Sequence, residues 1–169
     1  MIRYADILTD SIVDGPGIRL VVFLQGCPRV CPGCHNPSLL SKEGGKAITE
    51  RELAKKILKL FTPRHAGLTF SGGDPLLQPA ELENVIAFIR KRKPEINIWV
   101  YTGYLFEEVR DLPVLQDIDV LVDGPFILKQ KDISLVFRGS RNQRIIDVPN
   151  SLAGGEIVEI STEKNAAGI

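Results

Sequence analysis

Cysteine is scarce in this chain, as are tryptophan, methionine and histidine: its 169 residues hold three Cys, one Trp, one Met and two His. Net charge is missing too, since 21 Lys and Arg balance 21 Asp and Glu. Long apolar runs are absent; the longest, "LVVFL" at Leu20 to Leu24, falls far short of the roughly 20 residues of a spanning helix. Each shortage excludes something. Three thiols cannot close a disulfide framework. Balanced charge supplies no global field for nucleic acid or a membrane surface, so neither is expected as a partner. The opening "MIRYADILTDSIVDG" lacks the charged-then-apolar plan of a secretory signal. A reducing, cytoplasmic setting is therefore expected, which again argues against disulfides. With no repeat, low-complexity segment or linker, residues 1–169 read as one domain. The tail from about Ser161, "STEKNAAGI", offers little to bury and is expected to be poorly ordered.

What is present is an ordinary globular composition, 44% hydrophobic and 25% charged, in which short apolar strands alternate with amphipathic helices. "GIRLVVFLQG" reads as a buried strand. "AITERELAKKILKLF" reads as a helix, with Thr49 and Glu52 forming a capping box and Leu53, Ile57 and Leu60 on one face. "GLTFSGGDP" is a strand ending in a glycine turn. A helix follows over "PAELENVIAFIRKRKP", with Pro79 suited to its first position and Pro94 ending it. "NIWVYTGY" is a strand and "LFEEVRDL" a short helix; "DVLVDGPF", "ISLVF", "RIIDV" and "EIVEI" are further strand candidates. This alternation implies an α/β fold with a parallel sheet of about five or six strands, too few for a full eight-stranded barrel. Ligands of such folds bind at the carboxyl ends of the strands, which here carry the cysteine loop, "SGGDP" and "TGY". The lysines at 55, 56 and 59 and the run Arg90 to Lys93 belong on solvated helix faces, Trp99 in the core, and His65 in a loop.

All the thiols lie in "LQGCPRVCPGCHNPSLL", where Cys27, Cys31 and Cys34 form C-x3-C-x2-C. Clustered thiolates ligate zinc or iron–sulfur clusters. A 4Fe-4S cluster normally takes four cysteines, so three would leave one iron without a protein thiolate. A zinc site would need a fourth ligand, and His35, adjacent to Cys34, is awkward for one tetrahedron. On its own "SGGDP" fits either a tight turn or a loop whose backbone approaches a ligand. Thr102 fits a helix cap or a hydroxyl donor, and Asp123, after an apolar strand, fits a turn or the rim of a site. Arg138, Arg141 and Arg144 fit solvated surface, an anion contact or a hold on a partner's chain, and nothing in the sequence ranks these.

C-x3-C-x2-C at the end of the first strand resembles the radical S-adenosylmethionine (SAM) superfamily. "VDGPGIR", Val13 to Arg19, looks like the opening of glycyl-radical-enzyme activases. "CPGCHN", "LVDGPF" and "FRGSRNQRIID" are similar to the branch that activates anaerobic ribonucleoside-triphosphate reductase. The resemblance runs from about residue 10 to 148. It implies a partial, incomplete parallel β/α barrel and a 4Fe-4S cluster on Cys27, Cys31 and Cys34, with no catalytic residues beyond these ligands. SAM would be co-substrate, with Gly72, Gly73 and Asp74 receiving its amino group and Thr102 its carboxylate or ribose; Asp123 would lie on the same rim. Many superfamily members carry an aromatic residue before the last cysteine; Gly33 stands there, which leaves backbone around Gly33 and His35 for the adenine. The implied partners are the glycine loop of the reductase large subunit and a low-potential donor such as flavodoxin or ferredoxin. Rival readings are an activase of the pyruvate formate-lyase type, a small-molecule radical SAM enzyme, and a non-enzymatic zinc or iron–sulfur module.

Overall fold

After Arg19 the segment "RLVVFL" is apolar throughout, a composition that suits a strand covered on both faces. In the computed structural model, which describes residues 1–162, it is the second strand of a seven-stranded sheet. In chain order the strands are β1 (Ile2–Ser11), β2 (Arg19–Leu24), β3 (Lys46–Ile48), β4 (Gly67–Gly72), β5 (Ile98–Tyr101), β6 (Val120–Asp123) and β7 (Arg144–Asp147). The helices are α1 (Glu50–Leu60), α2 (Pro79–Arg90), α3 (Phe106–Val109) and α4 (Val148–Gly154). The spatial order is β3-β1-β2-β4-β5-β6-β7, an open sheet with β3 and β7 at its edges.

The sheet is mixed, where a parallel one was expected. β2, β4, β5 and β6 run parallel, as their βαβ connections require. β1, β3 and β7 are antiparallel to their neighbours. β1 and β3 were not foreseen. β1 mixes Asp6, Thr9 and Asp10 with its apolar residues and presents no clean alternation, while the three-residue β3 is held by pairing Ile2 with Ile48 and Tyr4 with Lys46. Two expected strands are absent as such. "ISLVF" is a run of turns and bends, and "EIVEI" makes one bridge, Glu159 to Ile146. Of the expected disordered tail, residues 163–169 lie outside those described.

The helices begin where their caps put them. Glu52 N–H donates to Thr49 Oγ1 at 3.2 Å and Thr49 N–H to Glu52 Oε2 at 3.3 Å, closing the expected capping box on α1. Pro79 opens α2 at a position where its missing N–H costs nothing. Leu53, Ala54 and Ile57 of α1 and Leu82, Val85, Ile86 and Ile89 of α2 are buried in one cluster. No helix of the described residues is long and apolar enough to cross a membrane.

Alternation along the strands divides the sheet into two working faces. Leu20, Val22, Leu24, Leu68, Phe70, Ile98, Val100, Leu121 and Ile146 meet the helices in the main core. The intervening residues face the other way, where Trp99, Val120, Val122 and Ile145 form a second, smaller cluster with Tyr101 and Phe137 against it. Arg19 also turns to that side and is fully buried. Its guanidinium donates to Thr69 Oγ1 at 2.8 Å and to the Leu68 and Asn97 carbonyls at 3.0 and 3.1 Å, and it lies 5.5 Å from the Trp99 ring. Burial pushes it down to about 10, which leaves it charged at neutral pH. His65, expected as an idle loop residue, is buried and joins the turn before β4 to β1 through the Thr9 carbonyl at 2.5 Å. Phe70 is fully buried between β4 and the helix layer. Phe70→Ala should cost about 3–5 kcal/mol in urea unfolding; a loss under about 1 kcal/mol would show that the core sits elsewhere.

Candidate functional site

β2 ends at Leu24 and the chain turns at once into the cysteine loop, which is pinned at its base by backbone bonds. Gly26 N–H donates to the Leu39 carbonyl at 2.8 Å and Cys27 N–H to the Leu40 carbonyl at 3.1 Å. Within the loop Cys34 N–H donates to the Cys31 carbonyl at 3.1 Å. Gln25 reaches the Ser41 carbonyl at 2.8 Å, and Asn36 reaches the Gly72 carbonyl at 3.3 Å. The "SGGDP" turn lies against this loop: Gly73 N–H donates to the Leu24 carbonyl at 2.9 Å and Asp74 N–H to that of Gly26 at 2.8 Å. A side chain on Gly73 would collide with the Gly26 carbonyl and come within 2.8 Å of the Leu39 carbonyl. Gly73 is therefore required by the fit of two loops, whereas the sequence suggested close approach to a ligand.

Asp74 joins three strand ends. Its buried carboxylate accepts from Leu76 N–H at 3.0 Å, Thr102 Oγ1–H at 2.8 Å, Gly103 N–H at 3.0 Å and Arg29 Nη1 at 3.1 Å. Burial pushes its pKa up, and these bonds pull it back. With these donors all internal, Asp74 and Thr102 hold the rim together where it lines the cavity. The Arg29 guanidinium, between Asp74 and the Tyr104 ring 4.1 Å away, clamps the cysteine loop to that rim. Sequence reasoning passed over Arg29; its one signal was its place between Cys27 and Cys31.

The carboxyl ends of β2, β4, β5 and β6 surround a cavity of about 630 Å³. Cys27, Cys31, Cys34, His35, Gly72, Gly73, Asp74 and Thr102 all line it. Two expected residues do not. Gly33 has φ +75°, and a side chain there would come within 2.9 Å of Leu128, so it serves the packing of the cysteine loop on Phe126 and Leu128. Asp123 is buried behind the rim, where it accepts from Phe106 N–H at 2.8 Å and from Arg144 Nη2 at 2.5 Å. It anchors α3 and β7 and is no cavity residue. Of the three arginines, Arg144 is spent on Asp123 and Glu107, Arg141 is exposed beside Asp132, and only Arg138 lines the cavity. The misread "ISLVF" segment forms a strap along the same cavity. Phe137 bends at φ +59°, held by Tyr101 Oη–H donating to its carbonyl at 2.7 Å and by the Trp99 ring at 5.5 Å.

The three cysteines are free and half-buried. Burial pushes the Cys27 thiol up, and the Arg29 backbone N–H draws it partway back. Among the described residues no three His, Cys, Asp or Glu side chains stand close enough together to hold a single metal ion. The thiols instead share one cavity wall, a donor set suited to iron–sulfur ligation.

Residues 13–146, which include all but Ile12 of the residues lining this cavity, match the 4Fe-4S single cluster domain family. Among curated relatives, the anaerobic ribonucleoside-triphosphate reductase-activating protein of Vibrio cholerae is 42% identical over 143 residues, 80% of this chain and 91% of the relative. Its counterpart in enterobacteria phage T4 is 37% identical over 148 residues (85% and 92%), and that of Escherichia coli K12 is 38% identical over 140 (79% and 90%). The chain belongs to this family of reductase-activating proteins. Because a side chain on Gly73 would displace backbone of the cysteine loop, Gly73→Val should lose most reconstituted iron. Iron content equal to wild type would return "SGGDP" to a purely ligand-facing role.

Proposed function

We propose that the protein is a radical SAM activase, with the strands around its cavity forming a partial β/α barrel, working in a cytoplasmic setting. The observation that carries this reading is that the only three thiols of the chain line one cavity of ligand size. Cys27, Cys31 and Cys34 would hold a 4Fe-4S cluster, leaving one iron for the amino and carboxylate groups of SAM. When bound and reduced by a low-potential donor of the flavodoxin or ferredoxin type, that pair supplies reductive cleavage of SAM to methionine and a 5′-deoxyadenosyl radical, which takes a hydrogen atom from a glycine of anaerobic ribonucleoside-triphosphate reductase.

The chain's own residues do the positioning. Gly72 and Gly73 keep the β4 turn against the cysteine loop, and Asp74 with Thr102 holds the neighbouring rim. His35 and Phe126 both line the cavity with ring centroids 5.1 Å apart, offering aromatic surface for the adenine that Gly33 cannot supply. Arg138 donates Nη1 to the Gln143 carbonyl at 2.7 Å, while its buried Nε has no acceptor. The remaining terminal N–H groups of Arg138 have no acceptor among the described residues and suit an anion on the cavity, here the SAM carboxylate. The strap carrying Leu135, Val136 and Phe137 gives one side of the cavity an apolar border.

The reduced protein with SAM should generate a glycyl-radical doublet, read by electron paramagnetic resonance, on anaerobic ribonucleoside-triphosphate reductase and none on pyruvate formate-lyase. A doublet on the lyase alone would refute the substrate assignment. Arg138→Gln should weaken SAM binding by about tenfold or more, the worth of a hydrogen bond to a charged group, with iron content unchanged. Unchanged affinity would remove Arg138 from the SAM site.

A further inference from the structure

The Arg29 side chain reaches away from the cysteines and meets a carboxylate on a different strand end. Its Nη1 lies 3.1 Å from Asp74 Oδ2, and its guanidinium is 4.1 Å from the Tyr104 ring centroid. The Asp74 side chain is 1% exposed and that of Arg29 24%. Both residues line the cavity that the three thiols share. A charge pair in this position is felt by whatever the thiols bind, because the low local dielectric screens it weakly.

We infer that the Arg29–Asp74 pair sets the reduction potential of the cluster. The inference rests on the reading that Cys27, Cys31 and Cys34 hold that cluster. Arg29 is then a positioning residue with a second role. It stands two residues from Cys27 and two from Cys31 in the chain, so its positive charge travels with the ligand loop. Asp74 offsets that charge from the β4 side. Neither group can drift: Asp74 is held by Leu76, Thr102 and Gly103 whether or not Arg29 is present, and Arg29 is held by Tyr104 as well as by Asp74. The other charged residues on the cavity, Asp14 and Arg138, bond here to neutral groups, Ser11 at 2.5 Å and the Gln143 carbonyl, and their charges are the same in every variant below. Net charge near an iron–sulfur cluster is one of the levers on its potential. A positive charge favours the reduced, more negative state and raises the potential; a negative charge lowers it.

An anchoring role alone would change how much iron the protein retains and leave the potential of the retained cluster where it was. A charge role makes the two partners pull in opposite directions. The test is a redox titration of anaerobically reconstituted full-length protein without SAM, followed by electron paramagnetic resonance, with iron and sulfide measured on each sample. Arg29→Gln, which leaves Asp74 uncompensated, should lower the potential. Asp74→Asn, which leaves Arg29 uncompensated, should raise it. The double variant should return toward wild type. Arg29→Lys, which keeps the charge but not the guanidinium over Tyr104, should stay near wild type, and with Asp74→Asn it decides the sign if Arg29→Gln holds too little iron to titrate. Shifts of the same sign in both single variants, or unshifted potentials in variants that retain the cluster, would overturn this inference alone. A wild-type protein that assembles no 4Fe-4S cluster would overturn the reading beneath it.

Discussion

The carboxylate of Asp74 is buried at the meeting point of three strand ends and accepts from four donors on three segments. A carboxylate buried there is costly without hydrogen-bond donors, so the segments that supply them are held in place. Leu76 N–H fixes the turn after β4, Thr102 and Gly103 fix the end of β5, and Arg29 brings in the cysteine loop. Breaking such a pair by removing one member typically costs about 3–5 kcal/mol, a large share of a small domain's stability. The disposition of the thiols follows from this constraint. A loop of prolines, glycine and cysteines has almost nothing apolar to bury, and so cannot hold its own shape.

The sheet explains why the rim encloses a cavity. The helix-facing residues of β2, β4 and β5 fill one continuous core. The opposite face carries Arg19, Thr69, Trp99 and Tyr101. Arg19 spans the gap near the amino ends of the parallel strands with bonds to β4 and to Asn97, leaving the carboxyl ends open. The strap at Leu135 to Phe137 then borders that open end. The positive φ of Phe137 is sustained by the Tyr101 bond and the Trp99 edge contact, two residues of one strand acting on one bend. Packed between strap and sheet, the Tyr101 hydroxyl is pushed well above its usual pKa and remains a donor.

Much of this was legible in the residues. The isolated C-x3-C-x2-C motif located the wall of the cavity, the Thr49 and Glu52 pair located the start of α1, and the apolar runs located the parallel strands. What was not legible depended on contacts far apart in the chain. Asp123 sits in a motif that reads as a rim, yet its partner Arg144 is 21 residues away and turns it inward. Gly73 reads as a ligand-facing glycine until the Gly26 carbonyl is seen against it. "ISLVF" has the composition of a strand, and only the Tyr101 and Trp99 contacts reveal it as a strap. β1 conceals its register because one of its faces is partly solvated, leaving Asp6 and Asp10 among apolar neighbours.

The central claim is that three thiolates, and no fourth protein ligand, hold a 4Fe-4S cluster whose remaining iron is open to SAM. Mössbauer spectroscopy of the iron-57 reconstituted protein tests it most directly, with and without added SAM. The account predicts that SAM changes the isomer shift and quadrupole splitting of one iron subsite and leaves the other three alone. Spectra that SAM does not alter, or that report no 4Fe-4S cluster, would contradict it.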